Sequence, residues 1–227
     1  MSYASLTGAQ AVALFRDLVD DQSVDVDIIL SNMNTAQDLL AMERDWSFLE
    51  AVDTSLDWLT SDTYLTAHNW PTDCLRPMDI YVSGFDFPFK EIPLKMRERY
   101  SGYSYRLYHD YRQRKLYLTG TTSQNRDITF PYIIMPTEIA NDAVAIANWP
   151  GVAHRMLVYF GVGLWLGGTD ADNITKLMRP EHAAIYGALR KRLVMMDAKI
   201  RNKARGFQSL APSRNISAQP DVVDIDA

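Results

Sequence analysis

The side chains on which chemistry could draw are four histidines, a single cysteine, several close carboxylate pairs and one arginine- and lysine-rich segment. His68, His109, His154 and His182 lie far apart. None has a partner at the helical or hairpin spacing that a metal site uses. Cys74 has no CxxC partner, and as a nucleophile it would need a base from elsewhere in the chain. The stretch Gly161-Val162-Gly163-Leu164-Trp165-Leu166-Gly167 echoes a dinucleotide loop. Its spacing is wrong, and it lies inside an apolar helical run instead of between a strand and a helix. Small residues that let helices approach closely explain it better. Asp20/Asp21, Asp25/Asp27 and Asp170/Asp172 fall at helix starts or turns, where capping accounts for them, whereas a glycosidase needs two carboxylates facing each other across a cleft. The expectation is therefore no catalytic residue, no cofactor and no metal, in a chain that is not an enzyme.

Charge is more informative. The formal net charge is −5, yet residues 1–62 hold 2 basic and 12 acidic side chains, while residues 176–205 hold 9 basic and 2 acidic. Such segments attract each other, within one chain or between neighbouring copies. Arg190, Lys191 and Arg192 are the densest basic run and the candidate inter-subunit charge patch. The same helix, 181–205, could instead contact nucleic-acid phosphates. Against that, the chain is acidic as a whole and shows no helix-turn-helix or zinc module.

The elements that must position these residues follow from periodicity. Residues 9–20 place Val12, Phe15 and Val19 on one helical face. Ser23 can cap a second helix, with Asp25 and Asp27 in its first turn. That helix runs to about Trp46, and the short connection predicts an antiparallel pair. Residues 52–135 are rich in β-formers, and strands are predicted at 52–59, 63–67, 78–83, 103–109, 115–119 and 127–135. Asn148-Trp149-Pro150 opens a third helix and Gly167-Gly168 closes it. A further helical stretch starts at Thr169 or Asp170. Ile185, Leu189, Leu193, Met196 and Ile200 form an apolar stripe on the last helix, which Gly206 stops. The fold class expected is α+β: a helical bundle, made by helices within 9–46 and 150–205, with a small antiparallel β insertion at 52–135. Together these make one domain over 1–205, followed by an extended C-terminal tail at 206–227. No secretory leader is visible, and the longest apolar run falls short of the ~20 residues of a membrane span.

Residues 43–50, ERDWSFLE, stand at the junction of the second helix and the first strand. Trp46 and Phe48 read as a structural hinge that pins the helix end to the β region. Further on come Trp70-Pro71-Thr72-Asp73-Cys74-Leu75-Arg76-Pro77-Met78-Asp79-Ile80-Tyr81-Val82, then Lys115-Leu116-Tyr117-Leu118-Thr119-Gly120, then the helix HRMLVYFGVGLWLGG. In their order and spacing, over roughly residues 9–205, these motifs resemble the head-to-tail connector proteins, or adaptors, of tailed bacteriophages.

That resemblance implies a structural virion protein in the neck, made in the host cytoplasm. Its copies form a homo-oligomeric ring, commonly of twelve, under the portal protein ring. The ring extends the DNA channel, lets genomic DNA pass without specific binding, and docks the next tail or neck component. No membrane is involved. Family C-terminal segments reach onto the portal. By position and composition, Phe207, Leu210, Ile216, Val222, Val223 and Ile225 would be the anchors here. Two other roles compete: a stopper or tail-completion ring protein one layer down, and a nucleic-acid-binding accessory protein using helix 181–205.

Overall fold

Thr7 and Gln10 build a reciprocal cap. The Thr7 hydroxyl accepts the Gln10 N–H at 3.2 Å, and the Gln10 side-chain oxygen accepts the Thr7 N–H at 3.0 Å. Two donors that a helix start leaves open are thereby satisfied, and α1 runs over Gly8–Val19. Asp25, rather than Ser23, caps α2 (Val26–Glu43), its carboxylate accepting the Asp27 N–H at 2.8 Å. Ser23 instead donates its N–H and hydroxyl to Asp21. The computed structural model describes residues 4–103, 105–168 and 171–208. After α2 come β1 (Glu50–Trp58), β2 (His68–Asn69), β3 (Cys74–Pro77), β4 (Tyr81–Val82) and β5 (Lys90–Glu91). β6 (Arg106–Asp110), β7 (Lys115–Leu118) and β8 (Arg126–Ile134) complete the strands, and α3 (Gly151–Trp165), α4 (Ala171–Leu177) and α5 (Pro180–Gln208) follow.

Among the described residues the architecture is mixed α/β, about 39% helical and 20% strand, with five helices and two four-stranded sheets. This corrects the expected helical bundle with a small antiparallel insertion, since no helical bundle is evident among the described residues. α1 and α2 pack mainly on α3 and much less on each other, and α4 and α5 also pack on α3. The β region is larger than an insertion. In one sheet β8 pairs antiparallel with β1 on one side and with β3 and β4 on the other. The second sheet has the order β2-β7-β6-β5, and its β5–β6 pair is parallel.

Two hydrophobic cores result. One gathers Phe15, Met33, Leu157, Phe160 and Leu193 from the helices, with Trp46 from the turn after α2; the other gathers Trp58, Leu116, Ile128 and Phe130 from the sheets, with Ile80 beside β4. β8 belongs to both. Its Ile128, Phe130 and Tyr132 enter the sheet core, its Ile133 enters the helical core, and its Ile134 packs against each. Alternation along a strand sends successive side chains to opposite faces, so one strand can line two cores.

Other boundaries differ from expectation for local reasons. Residues 63–67 form no strand. The Thr66 N–H donates to the Thr63 carbonyl at 2.9 Å, and the Thr66 hydroxyl accepts the Thr63 N–H at 2.9 Å. Such side-chain bonds offer the backbone an alternative to a ladder. At 103–109 the strand begins only at Arg106, because Tyr105 sits at φ 69°, outside the strand region. α3 ends as its sequence implies. Gly167 takes φ 95° and donates to Leu164, while Gly168 donates back to Gly163 at 3.0 Å, the double bond of a left-handed helix stop. Gly163 is small for a packing reason: a Cβ there would stand 2.5 Å from the Ile174 Cβ of α4. Gly206 does not stop α5, which continues to Gln208.

Candidate functional site

The ERDWSFLE stretch folds as a turn between α2 and β1. Arg44 leaves the helix in extended backbone, and the Leu49 N–H closes onto the Trp46 carbonyl at 2.9 Å. Closing the turn brings Trp46 and Phe48 together as stacked rings, with centroids 5.4 Å apart and planes 23° from parallel. Both also meet Trp149, which precedes α3. Trp46 is fully buried, and its indole N–H donates to the Leu40 carbonyl at 2.7 Å, a carbonyl near the end of α2. That bond satisfies one of the acceptors a helix end leaves open. The hinge expected of Trp46 and Phe48 therefore has this geometry: the indole caps α2 and the stacked pair seats the turn on α3.

Every charged side chain of the stretch is paired. Glu43 accepts from Arg190. Arg44 meets Asp197 at 3.0 Å, and its guanidinium lies 4.9 Å over the Trp46 ring. Asp45 accepts from Arg76 Nε at 2.7 Å, which ties the turn to β3. Glu50 meets Arg201 at 3.3 Å. The Leu49 carbonyl accepts from the Ile134 N–H at 2.8 Å, which adds β8.

Asp197 is the centre of this cluster. Its side chain is fully buried. One oxygen accepts the Ser47 N–H at 2.7 Å; the other faces Arg44 at 3.0 Å and Arg201 at 3.2 Å. Burial pushes the Asp197 carboxyl up, but the Ser47 hydrogen bonds and the Arg201 charge outweigh it and hold the group below its ordinary value. Arg190, Asp197 and Arg201 recur at helical spacing and share the inner face of α5 with Tyr186, Leu189 and Leu193. The apolar stripe expected on this helix is thus rotated: Ile185 and Ile200 are exposed. Sequence reasoning missed Asp197. The signal was available, because it is the one acidic residue between His182 and Arg205 and it follows Leu193 by one helical turn.

The expected inter-subunit patch divides. Arg190 is bound to Glu43 of its own chain, Arg192 is half-buried, and Lys191 is exposed. Part of the acidic–basic complementarity is therefore satisfied inside one chain. Of the expected tail anchors, Phe207 lies on the last described turn of α5, not in an extended segment. Leu210, Ile216, Val222, Val223 and Ile225 lie outside the described residues.

The histidines and the cysteine are placed by packing. His154 accepts the Leu6 N–H through Nδ1 at 2.9 Å and bonds the Trp149 carbonyl through Nε2 at 2.8 Å, which fixes a neutral ring and ties the N-terminal segment to α3. His109 is wedged between Trp70, Tyr111 and Phe130, and burial pushes it down to about 4. His182 packs edge-on against Tyr159. His68 lies 3.7 Å from the Asp62 carboxylate, yet burial holds its imidazole below the ordinary value. Burial pushes the Cys74 thiol up to about 12, so it carries no thiolate at neutral pH. Among the described residues no group of three metal-ligating side chains occurs, and no helix is long and apolar enough to cross a membrane.

A junction of this kind can transmit position. It fixes the angle between α2, β1, β3 and α5 through one buried carboxylate and one stacked aromatic pair. Compared with protein-family models and with curated proteins, the chain matches none.

Proposed function

We propose that this chain is a structural virion protein, a head-to-tail adaptor whose copies form a ring under the portal, extend the DNA channel and dock the next tail component in the neck. The observation that carries the reading is the junction itself. The ERDWSFLE stretch, which bears the resemblance, has all its charges and both its aromatics engaged in holding α2, β1, β3 and α5 together. Its residues serve as a frame, as a ring subunit under load requires. Head-to-tail ring contacts need two unlike patches. The acidic residues of 1–62 offer one, and exposed Lys191, Lys199 and Lys203 on α5 offer the other. A net charge of −5 also suits a channel that lets DNA pass without gripping it.

The experiment is to mix the purified chain with the cognate portal ring and image the product by electron microscopy. A second ring stacked coaxially on the portal is the expected result. No association, together with steeply salt-dependent DNA binding, would replace the adaptor by a nucleic-acid-binding protein acting through α5.

A further inference from the structure

A groove lies between α4 and α5, beside the junction. It measures about 380 Å³ and is bordered by Thr175, Tyr186, Gly187, Arg190, Lys191, Val194 and Met195. That lies within the ~300–1,000 Å³ range of binding clefts. Its floor is apolar and its rim is cationic. Lys191 is exposed and has no ion-pair partner among the described residues, and the exposed Lys199 and Lys203 continue the positive face toward the end of α5.

Gly187 is the telling residue. A glycine inside a helix costs ~0.5–1 kcal/mol relative to alanine. Gly163 has a packing reason for being small; Gly187 has none among the described residues, because a Cβ there would meet nothing of them within 4 Å. The missing side chain opens the floor of the groove to an incoming backbone.

We propose that this groove receives the acidic C-terminal segment Asp221–Asp226 of the same chain. The sequence of that segment, Asp221-Val222-Val223-Asp224-Ile225-Asp226, offers three carboxylates to the lysine rim and three branched apolar side chains to Val194 and Met195. The reach is sufficient. The roughly 13 residues from Gln208 to Asp221 span up to ~45 Å when extended, and the axis of α5 from Gln208 back to Lys191 is only ~26 Å long. Tethering also gives the segment an effective concentration of the order of millimolar at the groove, so a weak site is filled. In combination with the adaptor reading, the proposal has Val222, Val223 and Ile225 held in cis until the portal claims them.

The test uses the full chain alone, without portal, so the groove and the adaptor reading can fail separately. Ala227→Cys is spin-labelled; Cys74 is buried and stays unlabelled. Paramagnetic broadening of backbone amides is then mapped. Broadening centred on Gly187–Met195 is expected, reduced several-fold by Lys191→Glu and by Gly187→Leu, the latter filling the groove while pointing into open space. Broadening that is absent, scattered, or unchanged in both variants overturns the proposal. So does broadening seen only when spin-labelled protein is mixed with isotope-labelled, spin-free protein, which would assign the groove to a second copy.

Discussion

The Asp197 carboxylate and the Ser47 backbone N–H, 150 residues apart in the chain, meet at 2.7 Å beneath the guanidinium groups of Arg44 and Arg201. An acid whose folded value is depressed adds stability above its unfolded value of ~3.9 and loses it as pH falls through the folded value. Asp197→Asn should therefore lower the urea midpoint at neutral pH. The loss should be about 2–3 kcal/mol, below that of a fully buried ion pair because both arginines are a third exposed. The gap between the two proteins should close below pH ~4. A gap that stays constant from neutral to acid pH would show that the carboxylate's charge contributes nothing.

Trp46→Ala removes the cap on α2 and one ring of the stacked pair, and should cost ~3–5 kcal/mol. Trp46→Phe keeps the stack and loses only the bond to Leu40, so its cost should be much smaller, ~1–2 kcal/mol. Thermal melts of the two variants separate these contributions. Equal melting temperatures for Trp46→Ala and wild type would remove Trp46 from the junction's stability.

His109 adds a second acid-sensitive window, at higher pH than that of Asp197. Burial holds it neutral down to about 4, while the unfolded chain takes up a proton near ~6.5. Between those values acidification favours the unfolded state by up to ~1.4 kcal/mol per pH unit. His109→Phe, which keeps an aromatic ring against Trp70 and Phe130, should flatten stability against pH in that window. An unchanged slope would mean that His109 titrates in the folded protein as it does in water.

Gly163 and Gly187 should respond in opposite directions to alanine. Gly163→Ala drives a Cβ into Ile174 and should cost ~1–3 kcal/mol. Gly187→Ala meets open space and should gain ~0.5–1 kcal/mol from helix propensity alone. Denaturant midpoints of the two single variants decide the matter, and a destabilising Gly187→Ala would contradict the open groove.

What the sequence disclosed, and what it hid, follows from range. The end of α3 was legible because its stop, Gly167-Gly168, is local. The reciprocal cap of Thr7 and Gln10 on α1 went unread, and the cap of α2 was placed at Ser23 although Asp25 supplies it, because both are capping types and Asp21 takes the Ser23 donors. The false strand at 63–67 arose because Thr63, Tyr64, Leu65 and Thr66 favour strands by type, whereas two threonine hydroxyls turn the backbone. Asp197 was hidden for a different reason. Periodicity ranks apolar residues, and a buried acid is placed by partners at Arg44 and Ser47 that only the folded chain brings near. The mistaken bundle has the same origin: nothing local to 126–134 reveals that Ile133 is shared with the helices.

That sharing has a consequence for cooperativity. With Phe130 and Tyr132 in one core and Ile133 in the other, β8 cannot leave either without exposing apolar surface in both. Helical and sheet layers are thereby coupled through β8, so the described fold should melt in one step, its calorimetric and van't Hoff enthalpies equal. The β layer is then neither an appendage that can fray nor a unit that can be exchanged, and a push on either layer is felt at once by the other.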